Sequence, residues 1–173
     1  MTPATDRLTG DFSISREFAA PLSLVWKVWT EADHMARWFG PAGFSMVSST
    51  MDLRPGGRYH YGMRAPGGAV MWGLWTFREV SPPSRLVFVA SFSDEAGGIT
   101  VHPMAPTWPR QVLSTVMFSE AGGLTKLSLK GQALNPTEVE ASTFEQGKAG
   151  MTQGWGGTFG QLEAYLRSQQ DHA

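Results

Sequence analysis

Four histidines, His34, His60, His102 and His172, are the first residues to test for chemistry, because imidazole serves both as a metal ligand and as an acid or base near neutral pH. No two of them stand at HxxxH or HxxEH spacing, so a metal centre would need distant residues to converge and none is expected. Cysteine is absent, which removes thiolate zinc sites, iron–sulfur clusters, disulfides and a cysteine nucleophile together. There is no GxSxG elbow for a serine hydrolase. Gly147-Lys148 is followed by Ala149 and has no glycine five residues earlier, and GKAGMTQGWGG has neither the spacing nor the preceding strand of a dinucleotide site. No nucleotide, cofactor or catalytic residue is therefore assigned. Pro136 in Asn135-Pro136-Thr137 blocks a glycosylation signal.

Composition narrows the partners. The net charge is −1 and the isoelectric point near 6.4, so the chain has no field to draw in nucleic acid or anionic lipid. The opening MTPATDRLTG is polar without an apolar h-region, and no later segment approaches the roughly 20 apolar residues of a membrane span. A cytoplasmic protein without membrane insertion is expected. Seven Trp and ten Phe in a chain only 17% charged suit an aromatic core, an interface or an apolar pocket.

The elements that must position these aromatics follow from periodicity and punctuation. Residues 11–18 alternate as a half-buried strand, with Phe12, Ile14, Arg16 and Phe18 on one face. Pro21 starts a short helical pattern through Leu22, Val25, Trp26 and Trp29, and a second runs from about Glu31 to Trp38 before Gly40-Pro41. Extended segments follow at 44–53, 58–64, 70–80, 85–92, 111–119 and 124–131, separated by Gly and Pro clusters in the manner of an antiparallel meander. Residues 138–167 read as one long amphipathic helix, although Gly147, Gly150, Gly154, Gly156, Gly157 and Gly160 each cost up to about 1 kcal/mol relative to alanine. Those glycines allow a kinked or broken helix, a close approach to a sheet, or space for a ligand. The expected organisation is a disordered tail at 1–10, one domain at 11–168 and a C-terminal tail at 169–173.

Parity sorts the side chains within strands. Tyr59, Tyr61 and Met63 share the face expected to look inward, leaving His60 on the solvated side, and Leu127 and Leu129 likewise point in. Val70 to Val80 is ambiguous, because Trp72 and Leu74 occupy one parity and Trp75 and Phe77 the other. The unassigned face must be covered by the long 93–110 loop or by a second subunit, which makes a homodimer possible. That loop, carrying His102 and Trp108, is a lid candidate.

Four ordered motifs, RWFGPAGF (37–44), DLRPGGRYHY (52–61), REVSPPSRLVF (78–88) and GWGGTFGQLEAYL (154–166), resemble the activator of heat-shock protein 90 ATPase homologue family of the START-like SRPBCC superfamily. The resemblance spans about Ile14 to Leu166. It implies an α+β helix-grip fold, in which a curved seven-stranded antiparallel sheet wraps a long C-terminal helix after two short helices. It also implies a cavity between sheet and helix for an apolar or aromatic small molecule. Combining that implication with the aromatic pattern gives Trp38, Phe39, Tyr59, Tyr61, Met63, Trp75, Phe88, His102, Trp108, Met151, Trp155 and Phe159 as candidate ligand-binding residues, with His102 and Tyr61 as the polar groups. Two alternatives stand beside ligand binding: aromatase/cyclase-like chemistry on a polyketide-type substrate, and a stress- or chaperone-related partner module. Eukaryotic co-chaperones of this family carry a further N-terminal domain, whereas about ten residues precede the first strand here, which argues against direct chaperone activation.

Overall fold

The structure is a computed structural model and describes residues 6–171. Strand β1 (Leu8–Phe18) is followed by helices α1 (Leu22–Thr30) and α2 (Ala32–Trp38). Five strands come next: β2 (Ser45–Met51), β3 (Arg58–Arg64), β4 (Val70–Ser81), β5 (Arg85–Ser93) and the two-residue β6 (Ile99–Thr100). The chain ends with β7 (Val112–Ala121), β8 (Leu124–Leu134), α3 (Glu138–Gln146) and α4 (Lys148–Asp171). Seven strands form one antiparallel path in the order β1-β8-β7-β5-β4-β3-β2, and β6 adds to β5 as an eighth. This is the expected α+β helix-grip architecture: Phe159, Leu162 and Leu166 of α4 share one core with the inner face of the sheet and with α1 and α2.

Several boundaries differ from the sequence expectation, and tertiary contacts account for the main ones. β1 begins at Leu8, so residues 8–10 belong to the sheet and not to a tail, pairing Leu8 with Leu134 and Thr9 with Ala133. A register shift between Thr9 and Phe12 interrupts the alternation that would have revealed them. At Gly10 φ is +77°, and the Phe144 ring occupies the place of a side chain, so the bulge requires glycine. At the other end α4 continues to Asp171, where Gln170 Nε2 donates to the Ala19 carbonyl at 2.9 Å, so residues 169–171 are helix.

The expected single helix over 138–167 is two helices. Gly147 caps α3, its N–H shared between the Thr143 and Phe144 carbonyls, and the Trp108 ring lies where a Gly147 side chain would be. The apolar spacing runs on through the break, which is why periodicity alone missed it. Thr137 and Glu140 close a reciprocal capping box at the start of α3. Thr137→Ala is expected to cost about 1 kcal/mol in chemical denaturation, from the loss of one capped N–H.

The parity of β3 and β8 is as expected: Tyr59, Leu127 and Leu129 are buried, while His60 lies on the outer face and stacks on Trp72 with centroids 5.1 Å apart. In β4 the inner parity is Trp75 and Phe77, both in the core, and the outer is Trp72 and Leu74. The 94–97 turn folds back across this outer face. Arg58 Nη2 donates to the Gly97 carbonyl, and His60 Nε2 lies 3.1 Å from the Asp94 carbonyl oxygen. Leu74, between them, is thereby covered within the chain and does not need a second subunit.

Candidate functional site

Between the 39–41 turn, Met63 of β3 and α4 lies an open pocket of about 230 Å³, lined by Phe39, Gly40, Pro41, Met63, Met151, Gly154, Trp155 and Thr158. Each wall has a local cause. Trp38 ends α2 and is anchored by its Nε1–H donating to the Val28 carbonyl at 2.9 Å, which leaves Phe39 to exit the helix extended and turn across the mouth. At Gly40 φ is +116° with the Met63 sulfur packed against the Cα, a conformation and a space that exclude a side chain. The Gly40 carbonyl accepts from Thr158 Oγ1 at 3.3 Å and from Gln161 Nε2, so the turn is fastened to the middle of α4. No lining residue is charged.

Behind the mouth lies an aromatic interior. Phe39 meets Tyr61 at 5.2 Å, Trp75 at 5.3 Å and Trp155 at 6.2 Å between ring centroids. Trp75 stacks on Phe88 at 4.0 Å, and Tyr59 stacks on Tyr61 at 5.0 Å. Trp29, fully buried, touches Trp38, Trp75, Phe118 and Trp155. Burial pushes the phenol pKa of both Tyr59 and Tyr61 well above the usual value, so both remain protonated hydrogen-bonding groups. The Tyr59 hydroxyl and Ser49 Oγ are 3.2 Å apart.

The candidate residues thus divide into groups. Phe39, Met63, Met151 and Trp155 line the mouth, and Tyr61 lies just behind it. Trp38, Tyr59, Trp75, Phe88 and Phe159 are core side chains, each no more than 2% exposed. His102 and Trp108 stand away from the mouth. The 93–110 segment is not a free lid: β6 pairs with β5, His102 packs on Phe92 at 4.4 Å, Trp108 packs on Phe144 at 5.6 Å, and the Thr143 hydroxyl donates to the Thr107 hydroxyl at 3.0 Å. Sequence reasoning missed Gly40, Pro41, Gly154 and Thr158 as walls, although the FGP run beside Trp38 was a usable signal. It also missed Trp29, which no local pattern places behind the mouth because α1, β4 and α4 must first converge.

Partial burial lowers the His102 pKa from its ordinary 6.5. A depressed folded-state pKa means that the unfolded chain binds more protons below 6.5, so this contribution to stability is present above 6.5 and lost as pH falls towards the folded value. His102→Gln is expected to flatten that part of the pH–stability curve, and an unchanged slope in matched denaturation curves would count against it.

A larger groove, about 720 Å³, lies on the outer face of the sheet, but Ser13, Ser15, Arg85, Thr115, Ser128, Lys130 and Gln132 supply much of its lining. It has no aromatic side chain and is a solvated sheet surface. Among the described residues no group of three or more His, Asp or Glu is placed to hold a metal ion. Among the same residues no helix is long and apolar enough to cross a membrane.

The fold agrees with what the chain is similar to. The sequence model described as "Activator of Hsp90 ATPase homolog 1-like protein" matches residues 19–167. A crystal structure of a Nitrosomonas europaea protein is 25% identical over 93% of this chain and 96% of its own, with a TM-score of 0.73. A solution structure of an Arthrobacter aurescens protein is 26% identical, covering 91% and 86%, also at 0.73. A Mycobacterium smegmatis protein is 24% identical, covering 92% and 97% at 0.73, and shows the fold alone. Among the curated proteins none matches this chain.

Proposed function

The chain belongs to the family of activator of Hsp90 ATPase homolog 1-like proteins, and from that premise we propose that it is a cytoplasmic carrier or receptor for an apolar or aromatic small molecule bound between the sheet and α4. The observation that carries this reading is the mouth itself: eight lining residues without a charge, opening onto a layer of aromatic rings. A ligand burying about 300 Å² of apolar surface there gains about 7.5 kcal/mol at about 25 cal/mol per Å², before the cost of association. Phe39, Met63, Met151 and Trp155 make the first contacts, and the Tyr61 hydroxyl lies within the interior as a polar group to orient the ligand.

Enzyme chemistry of the aromatase/cyclase kind has less support. No lining residue titrates near neutral pH, and the candidate imidazole, His102, packs against Phe92 away from the mouth. Native mass spectrometry of freshly purified protein, compared with its denatured mass, tests the binding reading. The expected result is a discrete added mass that apolar competitors displace. A clean unliganded mass with no thermal shift across a panel of apolar and aromatic compounds would move the assignment to a protein-partner role.

A further inference from the structure

We propose that Trp155 occupies the place of a ligand ring, and that the aromatic cluster behind it, with the unpaired N–H of Trp29, forms a subsite for a planar, uncharged molecule carrying a hydrogen-bond acceptor. The inference rests on the small-molecule reading above and adds a ligand class and a displaceable plug. Trp155 lies nearly parallel to Trp29, with an interplanar angle of 15° and centroids 6.4 Å apart, the arrangement a flat ligand ring would adopt.

Trp29 is fully buried, yet among the described residues no acceptor lies within hydrogen-bond reach of its Nε1–H. Buried indoles in this protein can be satisfied, as Trp38 is by the Val28 carbonyl. A buried donor without an acceptor is costly, and a bound acceptor would remove that cost. The rings around Trp29 are Trp38, Trp75, Phe118 and Trp155, with no cation among them to offset the desolvation of an anion. The subsite therefore fits a neutral ketone, quinone or heteroaromatic better than a carboxylate or phosphate amphiphile.

The element carrying Trp155 is lightly packed. From Lys148 to Gly157 no residue of α4 is fully buried, and all the buried positions of that helix, Thr158, Phe159, Leu162 and Leu166, come later. Gly150, Gly154, Gly156 and Gly157 lie in the same stretch, and a Cβ on any of them would meet nothing within 4 Å. They are not there for close packing. Arg16 pairs with Glu163 at 2.8 Å and donates to the Gly156 carbonyl at 3.4 Å, and Thr158 bonds to Gly40, so α4 is held from residue 156 onward and the turns before it are the part that would carry Trp155 out while the rest of the core stays packed.

A plug of this kind lowers apparent affinity by the fraction of time the subsite is closed. The test is a fluorescence titration of the full-length protein with prodan, a neutral naphthyl ketone whose emission reddens when its carbonyl accepts a hydrogen bond, with naphthoate as the anionic control. Trp155→Ala is expected to bind prodan about tenfold more tightly than the native protein. Adding Trp29→Phe is expected to loosen binding about fivefold and to shift the bound emission to the blue. Naphthoate is expected to bind weakly throughout. If Trp155→Ala does not fold, Trp155→Val, which leaves most of the space of the indole empty, must show the tightening.

Binding to the native protein that Trp155→Ala leaves unchanged or weakens would make Trp155 a wall, overturning this inference while leaving the cavity reading intact. An unshifted emission in the Trp29→Phe background would overturn the donor, and equally tight naphthoate binding would overturn the ligand class. Absence of binding to every variant, with no hit from the wider ligand panel, would sink this inference and the cavity reading together.

Discussion

Replacing Gly150, Gly156, Gly157 and Gly160 together by alanine is expected to stabilise the protein by about 3 kcal/mol, from the lower helix propensity of glycine. For a chain of this size that corresponds to a rise in Tm of about 6–12 °C. The expectation depends on space: a Cβ at each of the four meets nothing within 4 Å, so there is no compensating clash. Gly154 is left in place because it lines the mouth. Had the glycines been kept for close contact with the sheet, the same substitutions would destabilise. Thermal unfolding by circular dichroism decides between the two signs. A stiffer helix should also admit ligand less readily, the usual exchange of flexibility for stability.

Trp75→Ala is the second large effect, expected to cost about 3–5 kcal/mol. Trp75 is 2% exposed, stacks on Phe88 at 4.0 Å and touches Trp29, Phe39, Tyr59 and Phe77, so its removal opens a hole that its rigid neighbours cannot close. Trp72→Ala, three residues away on the same strand, is expected to cost only about 1 kcal/mol, because that ring is half-exposed and leans on His60 over Gly62. Paired urea denaturation curves would show the difference, and equal costs would contradict the assignment of the two faces of β4.

That strand also marks how far the sequence can be read. Where one face of a strand meets water, alternation identifies the core side directly, and Tyr59, Leu127 and Leu129 were legible for that reason. β4 was not, because its outer face is covered by the 94–97 turn through Arg58 and His60, contacts between residues more than thirty positions apart. The start of β1 was hidden by a bulge, and the break at Gly147 by apolar spacing that continues through it. In each case the deciding contact is tertiary: Phe144 against Gly10, Trp108 against Gly147.

The candidate site was partly legible for the same reason. Phe39, Met63, Met151 and Trp155 lie on three separate segments, and the aromatic pattern with the motif resemblance was enough to bring them together as wall residues. His102 and Trp108 were attractive because a long loop with polar and aromatic groups resembles a lid, but contacts with Phe92, Phe144 and Thr143 fasten that loop elsewhere. Trp29 was visible only as one position of a helical stripe. Its unsatisfied N–H and its stack with Trp155 exist only once three elements have packed.

If a small molecule enters between the sheet and α4, the methionines are reporters already in place. Met63 and Met151 line the mouth, Met117 lies in the groove on the outer face of the sheet, and Met104 is 86% exposed on the 93–110 segment. Methyl-labelled methionine NMR, with the protein titrated with a neutral naphthyl ketone, reads all of these positions at once. The expected result is saturable shifts at Met63 and Met151 with Met104 and Met117 unmoved. Shifts at Met117 with Met63 and Met151 unmoved would place the ligand on the outer face instead and rule out entry between the sheet and α4.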